Sequence, residues 1–543
     1  MSVAKMLTVL EEKPWVYALS SSAAKNYCHF CFNKITNRIK CPDCRFTRYC
    51  STNCSEKAAR EHKSECQLLR MAKGRIPNEK TRLMSRILIK LVDLPPPETQ
   101  KVERSAFSKE AKMRLPHGLT LTYKILTIAA IMILSYVSDK EIISDYERMV
   151  EFFEIRRALQ VYMAKWTLPE AGELFEIYCR VLTVTLLRER CLTCLFQMIL
   201  NIFNITSSTL LSVGIGIYLT MSQLKHSCSP NSVIVYNGLT AHLNLLGPTD
   251  ENAKVELGKI CIGYLPLIGN RDERRRALKK RYYFFCQCTR CMNDEQSSLE
   301  TDCTCPAGSC KGHKFAVANC DDAKCEMNNE TATVQCPADL MIRTPDDFAQ
   351  IKQGVQAGDA IVPLTAALIS RLNQMYVAAK EFLEKHEKIL ISTHVQLIRT
   401  ESIMAKAAYF KGSYIEATSL YENIIWRLEK YMPENLPLLS LAEMAVSRLC
   451  LMTGDLVRTK QHLLNACDLT RRCYGRQHPT HNMVLRFLDD CEQKLVKKGI
   501  DPYGIECQPS QVKSITTLQQ EKPKGNASQD KEEKQEKEQN KKC

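Results

Sequence analysis

The chain has 543 residues, of which 45% are hydrophobic and 25% charged, and it carries a formal net charge of +15. That length supports several domains, each with its own core, and the composition is that of an ordinary soluble globular protein. The excess of positive charge permits acidic partners without requiring one and reads first as a generic basic surface.

The 27 cysteines carry more information. Glu11, Glu12 and Lys13 interrupt the only early apolar stretch, so no secretory signal is expected. In a reducing compartment clustered thiols read as metal ligands. The most apolar runs, residues 125–137 and 191–205, fall short of the roughly 20 residues that a membrane span needs and read as core helices. Nucleus and cytoplasm are the expected locations, with no membrane partner.

Taken in chain order, residues 1–26 show a short strand pattern, Leu7, Val9 and Leu10 ahead of Pro14, Trp15, Val16 and Tyr17. Residues 28–66 are dense in cysteine, and 67–200 are mostly helical in pattern. Residues 201–265 turn β-like: Val213 to Tyr218 alternate with glycine, and Val233 to Tyr236 run into the turn signal Asn237-Gly238. A second cysteine-rich stretch lies within 266–345, and 346–505 are helical again. There Gly412 and Gly454 mark similar turns 42 residues apart, with Ala405, Ala408 and Ala417 where paired helices would approach closely. This resembles tetratricopeptide-type helix pairs; an irregular helical bundle is the alternative. Residues 506–543 collapse to Lys, Glu, Gln and Ser, a composition expected to be disordered.

Cys28-x2-Cys31, Cys41-x2-Cys44, Cys50-x3-Cys54 and His62-x3-Cys66 form four ligand pairs, enough for two tetrahedral zinc ions with none left over. A Cys-x2-Cys turn aims both thiolates at one point, and the spacing of His62 and Cys66 puts both on one face of a helix. So small a segment has little apolar core, so zinc must supply its folding energy. A RING-type finger shares this logic. The closing His-x3-Cys and the short gaps instead resemble the MYND finger. That resemblance implies alternating pairs: Cys28, Cys31, Cys50 and Cys54 on one zinc, and Cys41, Cys44, His62 and Cys66 on the other. MYND fingers as a class bind proline-containing peptides, and some contact DNA.

His226-Ser227-Cys228-Ser229-Pro230-Asn231 is similar to the NHSCxPN segment of SET methyltransferases, and Cys286-x-Cys288-x2-Cys291 to their post-SET motif. The order of finger, SET core, post-SET and helical repeats resembles the SET and MYND domain-containing family over about residues 1–500. The implied fold is α+β: a β-rich SET fold split by a MYND zinc finger, then a cysteine-rich post-SET region and a C-terminal α-helical, tetratricopeptide-like domain. The resemblance implies that Cys228 joins Cys286, Cys288 and Cys291 on a third zinc. It places Tyr264 at the methyl-transfer point, with Tyr282 as a second channel tyrosine and Phe203 as a channel phenylalanine. Phe284 matches the aromatic near the adenine of S-adenosylmethionine, and Asn201 and His226 match cofactor contacts. Such a site must receive a neutral, dry and aligned lysine amine, and aromatic walls also attract the cationic product.

The sequence departs from this pattern in three places. Lys225 stands where the family has a cofactor-contacting asparagine; a lysine there either crowds the pocket or reaches the cofactor carboxylate from a shifted pose. The family's Gly-x-Gly cofactor turn precedes the strand matching Leu7 to Tyr17, and Gly74 is the first glycine of this sequence. The expectation is either a chain starting after that turn or a site that has lost part of its cofactor cradle. The Gly-Glu-Glu-Leu segment is replaced by Gly258-Lys259-Ile260-Cys261. A fourth zinc is a further expectation, from Cys305-x4-Cys310 and Cys320-x4-Cys325 with Cys336 or His313, in a cluster that also includes Cys303; surface thiols in an insertion are its alternative.

Three functions compete. The first is a zinc-containing, S-adenosylmethionine-dependent protein-lysine methyltransferase acting on histone or non-histone proteins in gene regulation, expected to be a monomer. The second is a catalytically impaired adaptor or corepressor that recruits protein partners through finger and helical repeats. The weakest is a DNA-binding protein, which leans on Arg38, Lys40, Arg45 and Arg48.

Overall fold

The computed structural model describes residues 8–92, 144–164, 201–207, 211–246, 256–301, 366–387, 390–432 and 436–505. The run 125–137, most of 191–205, the cysteines between Cys303 and Cys336 and the charged tail lie outside them. Two compact units are present: Met1–Asn293 with Thr470–Met483, and Asp294–Leu469 with Val484–Cys543.

In the first unit, β1 (Thr8–Glu12) and β2 (Val16–Leu19) part company at Pro14 and join different sheets. β1 pairs antiparallel with β9 (Thr240–Leu245), which pairs with β8 (Ser232–Asn237). The β8–β9 hairpin turns at Gly238, whose φ of +61° is the conformation that the Asn-Gly signal predicts. β2 pairs antiparallel with β6 (Ser212–Ile217), and β6 with β5 (Phe203–Thr206). The apolar pattern of 191–205 predicts a helix to its end, yet residues 203–206 are strand. Phe203-Asn204-Ile205-Thr206 alternates, and Ile205 is buried opposite Gly214.

The finger lies between β2 and β5 in sequence. Its hairpin, β3 (Ile39–Lys40) with β4 (Arg48–Tyr49), leads into α1 (Thr52–Met71), whose N-cap Ser51 accepts from the Cys54 N–H. Two glycines of the sheets receive it. A side chain at Gly214 would meet Phe32 of the finger at 2.5 Å and the Ala18 carbonyl at 2.6 Å. One at Gly238 would meet the Cys31 carbonyl at 2.2 Å.

α2 (Glu79–Val92) covers the unpaired side of β2. Its Arg82, Arg86 and Lys90 recur every four residues and donate to the carbonyls of Leu19 (3.0 Å), Tyr17 (2.8 Å) and Trp15 (2.7 Å). A helical step of four residues, about 6 Å, matches a strand step of two, about 6.8 Å. Each cation also lies over a ring: Arg82 over Phe46, Arg86 over Tyr17 and Lys90 over Trp15. Glu65 of α1 binds both arginines, at 3.0 Å to Arg82 Nε and 2.9 Å to Arg86 Nε, with its side chain fully buried. Burial pushes its carboxyl up, but Arg86 and Arg82 outweigh burial and hold it well below the carboxylate range. Around this ion cluster pack Val16, Leu68, Leu83, Ile87 and Ile217, joined by Leu159 of α3 (Tyr146–Met163).

The second unit contains α6 (Asp294–Thr301) and α7 (Ala366–His386), α8 (Val395–Lys411), α9 (Tyr414–Tyr431) and α10 (Leu436–Met452). Most of α11 (Leu456–Tyr474) and α12 (Pro479–Lys497) belongs there too. α4 and α5 belong to the functional site below. α7, α8, α9 and α10 pack in succession. Gly412 ends α8 and Gly454 follows α10, both left-handed (φ +79° and +80°), as their turn signals imply. Ala408 and Ala417 are buried against Leu449. His462 bridges Glu443 (2.6 Å) and Glu422 (3.2 Å) within this unit. Burial favours its neutral form, but hydrogen bonds to the two carboxylates outweigh it and raise the imidazole to about 9.

Two predictions follow from these ion clusters. Glu65→Gln strands two buried guanidinium groups and is expected to cost about 3–5 kcal/mol, measured by urea unfolding at neutral pH. For His462 the folded pKa lies above the unfolded one. Its stabilisation is therefore complete below about pH 6.5 and lost as pH rises through about 9. His462→Gln should flatten the alkaline limb of the stability profile of the helical unit.

Candidate functional site

The finger's ligands are gathered by two knuckles and a helix. In each knuckle the residue after the second cysteine is left-handed, Phe32 (φ 61°) and Arg45 (φ 55°). That turn lets Phe32 N–H bond back to the Cys28 carbonyl (3.0 Å) and Arg45 N–H to that of Cys41 (3.1 Å). Cys28, Cys31, Cys50 and Cys54 form one quartet, and Cys41, Cys44, His62 and Cys66 the other. These are the alternating pairs that the resemblance implies. A third quartet joins Cys228 to Cys286, Cys288 and Cys291.

The donor sets fit zinc. A tetrahedral ion with bonds of about 2.3 Å sets its sulfurs about 3.8 Å apart. The observed separations are 3.6 Å for Cys31–Cys50, 3.6 Å for Cys41–Cys66, and 3.9 and 3.6 Å from Cys228 to Cys286 and Cys291. His62 Nε2 stands 3.6 Å from Cys44 Sγ. In the third quartet, sharing with Cys286 holds the Cys228 thiol far above the ordinary range, and sharing with Cys228 takes Cys288 far below it. Sulfurs so close cannot all ionise unless a cation lies between them. All four sites are protein sulfurs, the arrangement of a structural zinc. Around it, the Cys228 N–H points at Cys288 Sγ (3.4 Å), and buried Arg290 donates to the Cys228 carbonyl (2.9 Å). Arg275 donates to the Cys286 and Cys291 carbonyls, both at 3.1 Å.

The aromatic site is built on the same segment. β7 (Lys225–His226) runs parallel to β10 (Cys261–Ile262). Asn231 clamps the approach to β10, accepting from the Cys261 N–H (2.9 Å) and donating to the Lys259 carbonyl (3.0 Å). From β1, Glu12 accepts from the N–H groups of Thr220 (2.9 Å) and Met221 (3.0 Å) and fixes the turn leading into β7. α4 (Arg271–Tyr282) opens with a capping box of Asn270 and Glu273. It ends at Tyr283, left-handed at φ 61° and held by its hydroxyl on Asp145 (2.8 Å). That reversal sets Tyr282 and Phe284 on the same cluster, just ahead of the short α5 (Thr289–Met292).

Tyr264 is the hub. Its ring centroid lies 5.0 Å from Tyr282, 5.2 Å from His226 and 6.4 Å from Phe284. Its hydroxyl donates to the Leu224 carbonyl, and the Tyr282 hydroxyl reaches the Tyr264 carbonyl at 3.3 Å. Burial pushes Tyr264 up to about 12 and raises Tyr282. Burial also brings His226 down to about 4, so at neutral pH Tyr264, Tyr282 and His226 are all uncharged.

Phe203 meets Tyr218 edge to face at 5.8 Å and packs on the cluster that Tyr264 also joins. Asn201 lies just ahead of β5, half-buried. Lys225 is exposed on β7, with its register partner Cys261 half-buried. Neither the buried Glu65–Arg82–Arg86 cluster nor the Phe32–Gly214 contact had a sequence signal.

Zinc quartets stapling a fold of small sheets split by an inserted finger, beside an aromatic cluster, define a class of zinc-stapled α+β proteins. Residues 28–66 match the family described as the MYND finger. Histone-lysine N-methyltransferase SMYD3 of Homo sapiens is 24% identical over 89% of this chain and 91% of its own length. Histone-lysine N-methyltransferase ASHR1 of Arabidopsis thaliana is 22% identical over 87% of this chain and 88% of its own. Histone-lysine N-methyltransferase Smyd1 of Mus musculus is 22% identical over 93% and 90%. The matched finger and the length of these alignments agree with the resemblance to the SET and MYND domain-containing family.

Cys228→Ser should lower the bound zinc by one ion per chain relative to the parent protein, read by elemental analysis. The finger's two ions should stay in place.

Proposed function

We propose that this protein is an S-adenosylmethionine-dependent protein-lysine N-methyltransferase acting on histone or non-histone proteins. The observation that carries the reading is Tyr264, whose hydroxyl is donated to a backbone carbonyl inside a cluster of neutral aromatic rings. Relatives named histone-lysine N-methyltransferases, aligned over most of the chain, support it.

The chemistry follows from the neutral rings. S-adenosylmethionine supplies an electrophilic methyl group on a sulfonium. Neutral aromatic faces suit such a cation and the methylated ammonium product. Because the Tyr264 proton is committed to Leu224, the lone pairs of its oxygen remain to accept from a reacting group. A phenol held up at about 12 is no base at neutral pH. Tyr264 therefore orients, and the lysine must arrive already deprotonated. The apolar walls favour that neutral amine. In this reading Phe284, His226 and Asn201 border the cofactor, and Tyr282 and Phe203 border the lysine. The zinc quartets are structural.

The adaptor reading is kept by one feature, the exposed cation of Lys225 at the position of the family's asparagine. In that case a protein partner engages the finger and the helical unit. In either reading we place the protein in nucleus and cytoplasm, as a monomer.

Calorimetry with S-adenosylmethionine, on the zinc-loaded protein, should show binding that Tyr264→Phe retains. Methyl transfer by Tyr264→Phe should fall about 10²–10³-fold, the loss typical of one positioned polar contact in a transition state. Binding with no transfer by either form, on a broad panel of lysine peptides, would favour the adaptor.

A further inference from the structure

The side chain of His226 is held at both nitrogens by partners that belong to different sites, with the Ile262 backbone also close to the ring. Nδ1 lies 3.0 Å from the Tyr264 backbone nitrogen, and Nε2 lies 3.3 Å from Cys228 Sγ. A backbone N–H can only donate, so Nδ1 must accept and the proton of the ring must sit on Nε2. That proton is then donated to the sulfur. The ring is also packed against Tyr264 and Phe284, at 5.2 and 5.9 Å between centroids. One imidazole thus connects a ligand atom of the third zinc quartet to the backbone of the residue at the hub of the aromatic site.

From this geometry we infer that His226 is a positioning residue that makes the placement of Tyr264 depend on the third zinc. The inference rests on the methyltransferase reading only for its consequence in catalysis. A thiolate bound to zinc is a better-defined hydrogen-bond acceptor than a thiol that rotates and shares its proton. It fixes the tautomer and tilt of the ring, as partners of metal ligands commonly fix one another. The fixed ring offers Nδ1 to the Tyr264 N–H. That contact sets where the chain leaves β10, and hence where the phenol stands relative to the Leu224 carbonyl. The ring nitrogens are then unavailable to a cofactor, which meets this residue through its backbone or ring face.

Two isosteres separate the two contacts. Asparagine places its oxygen near the position of Nδ1 and has nothing at Nε2; glutamine places its amide nitrogen near Nε2 and has no acceptor at Nδ1. The full chain, loaded with ¹¹³Cd in place of zinc and labelled with ¹⁵N-tyrosine, gives one cadmium resonance for each quartet and an amide signal for Tyr264. His226→Asn should move both the cadmium resonance of the all-cysteine quartet lost in Cys228→Ser and the Tyr264 amide, because an acceptor no longer fixed from the sulfur side no longer fixes the Tyr264 N–H. His226→Gln keeps the sulfur contact and should move the Tyr264 amide while leaving that cadmium resonance near its parent position. The Tyr264 amide should move in Cys228→Ser as well. The finger's two cadmium resonances should stay fixed in all three, which reports an intact fold. A Tyr264 amide that keeps its parent position in His226→Asn or in Cys228→Ser overturns the relay. S-adenosylmethionine calorimetry on the same samples keeps the two ideas apart. The expected signals without cofactor binding would sink the enzyme reading and leave the relay standing. Cofactor binding with an unmoved Tyr264 amide would do the opposite.

Discussion

Glu65 lies between two zinc ligands on one helix, His62 three residues before it and Cys66 one after. Its carboxylate is wholly buried and given to two arginines of the next helix. Metal, helix and sheet are thereby joined. The zinc fixes α1, α1 aims Glu65, Glu65 fixes Arg82 and Arg86, and those arginines hold β2 by its backbone. A buried charge with such partners is stable only as a complete set, so the finger cannot be treated as an independent appendage. It is the inner wall of the fold it interrupts.

The same dependence runs the other way across the finger. Phe32 and Cys31 sit against Gly214 and Gly238, positions where any side chain would strike the finger. The glycines of β6 and of the β8–β9 turn are therefore spaces kept for the finger as well as features of strand and turn.

Much of this was legible in the sequence where chemistry demands a fixed spacing. The finger's four ligand pairs, the helix carrying His62 and Cys66, the Asn237-Gly238 turn and the helix ends at Gly412 and Gly454 follow from local rules, whereas the alternation of those pairs and the joining of Cys228 to Cys286, Cys288 and Cys291 came from the family resemblance. Their partners are few residues away, or of a type rare enough to identify. The end of the apolar run 191–205 was misread because continuous hydrophobicity does not separate a core helix from a buried strand; pairing with Gly214 and Gly216 decides it. The ion cluster was not legible because Glu65, Arg82 and Arg86 look like solvent-facing charges until the helices are placed. Nor was the role of His226 visible. Its resemblance to a cofactor contact says nothing of where its nitrogens point, and that depends on Cys228 and Tyr264 meeting in space.

The row of cations on α2 has a consequence for what happens when metal is lost. β2 lies at the border of its three-stranded sheet, and its outward carbonyls are masked by Leu19–Arg82, Tyr17–Arg86 and Trp15–Lys90 contacts. An unmasked strand of that kind is a template for pairing with another chain. Because Glu65 sits between His62 and Cys66, ligands of the second finger zinc, and holds two of the three side chains that cap these carbonyls, the metal of the finger also guards a strand edge.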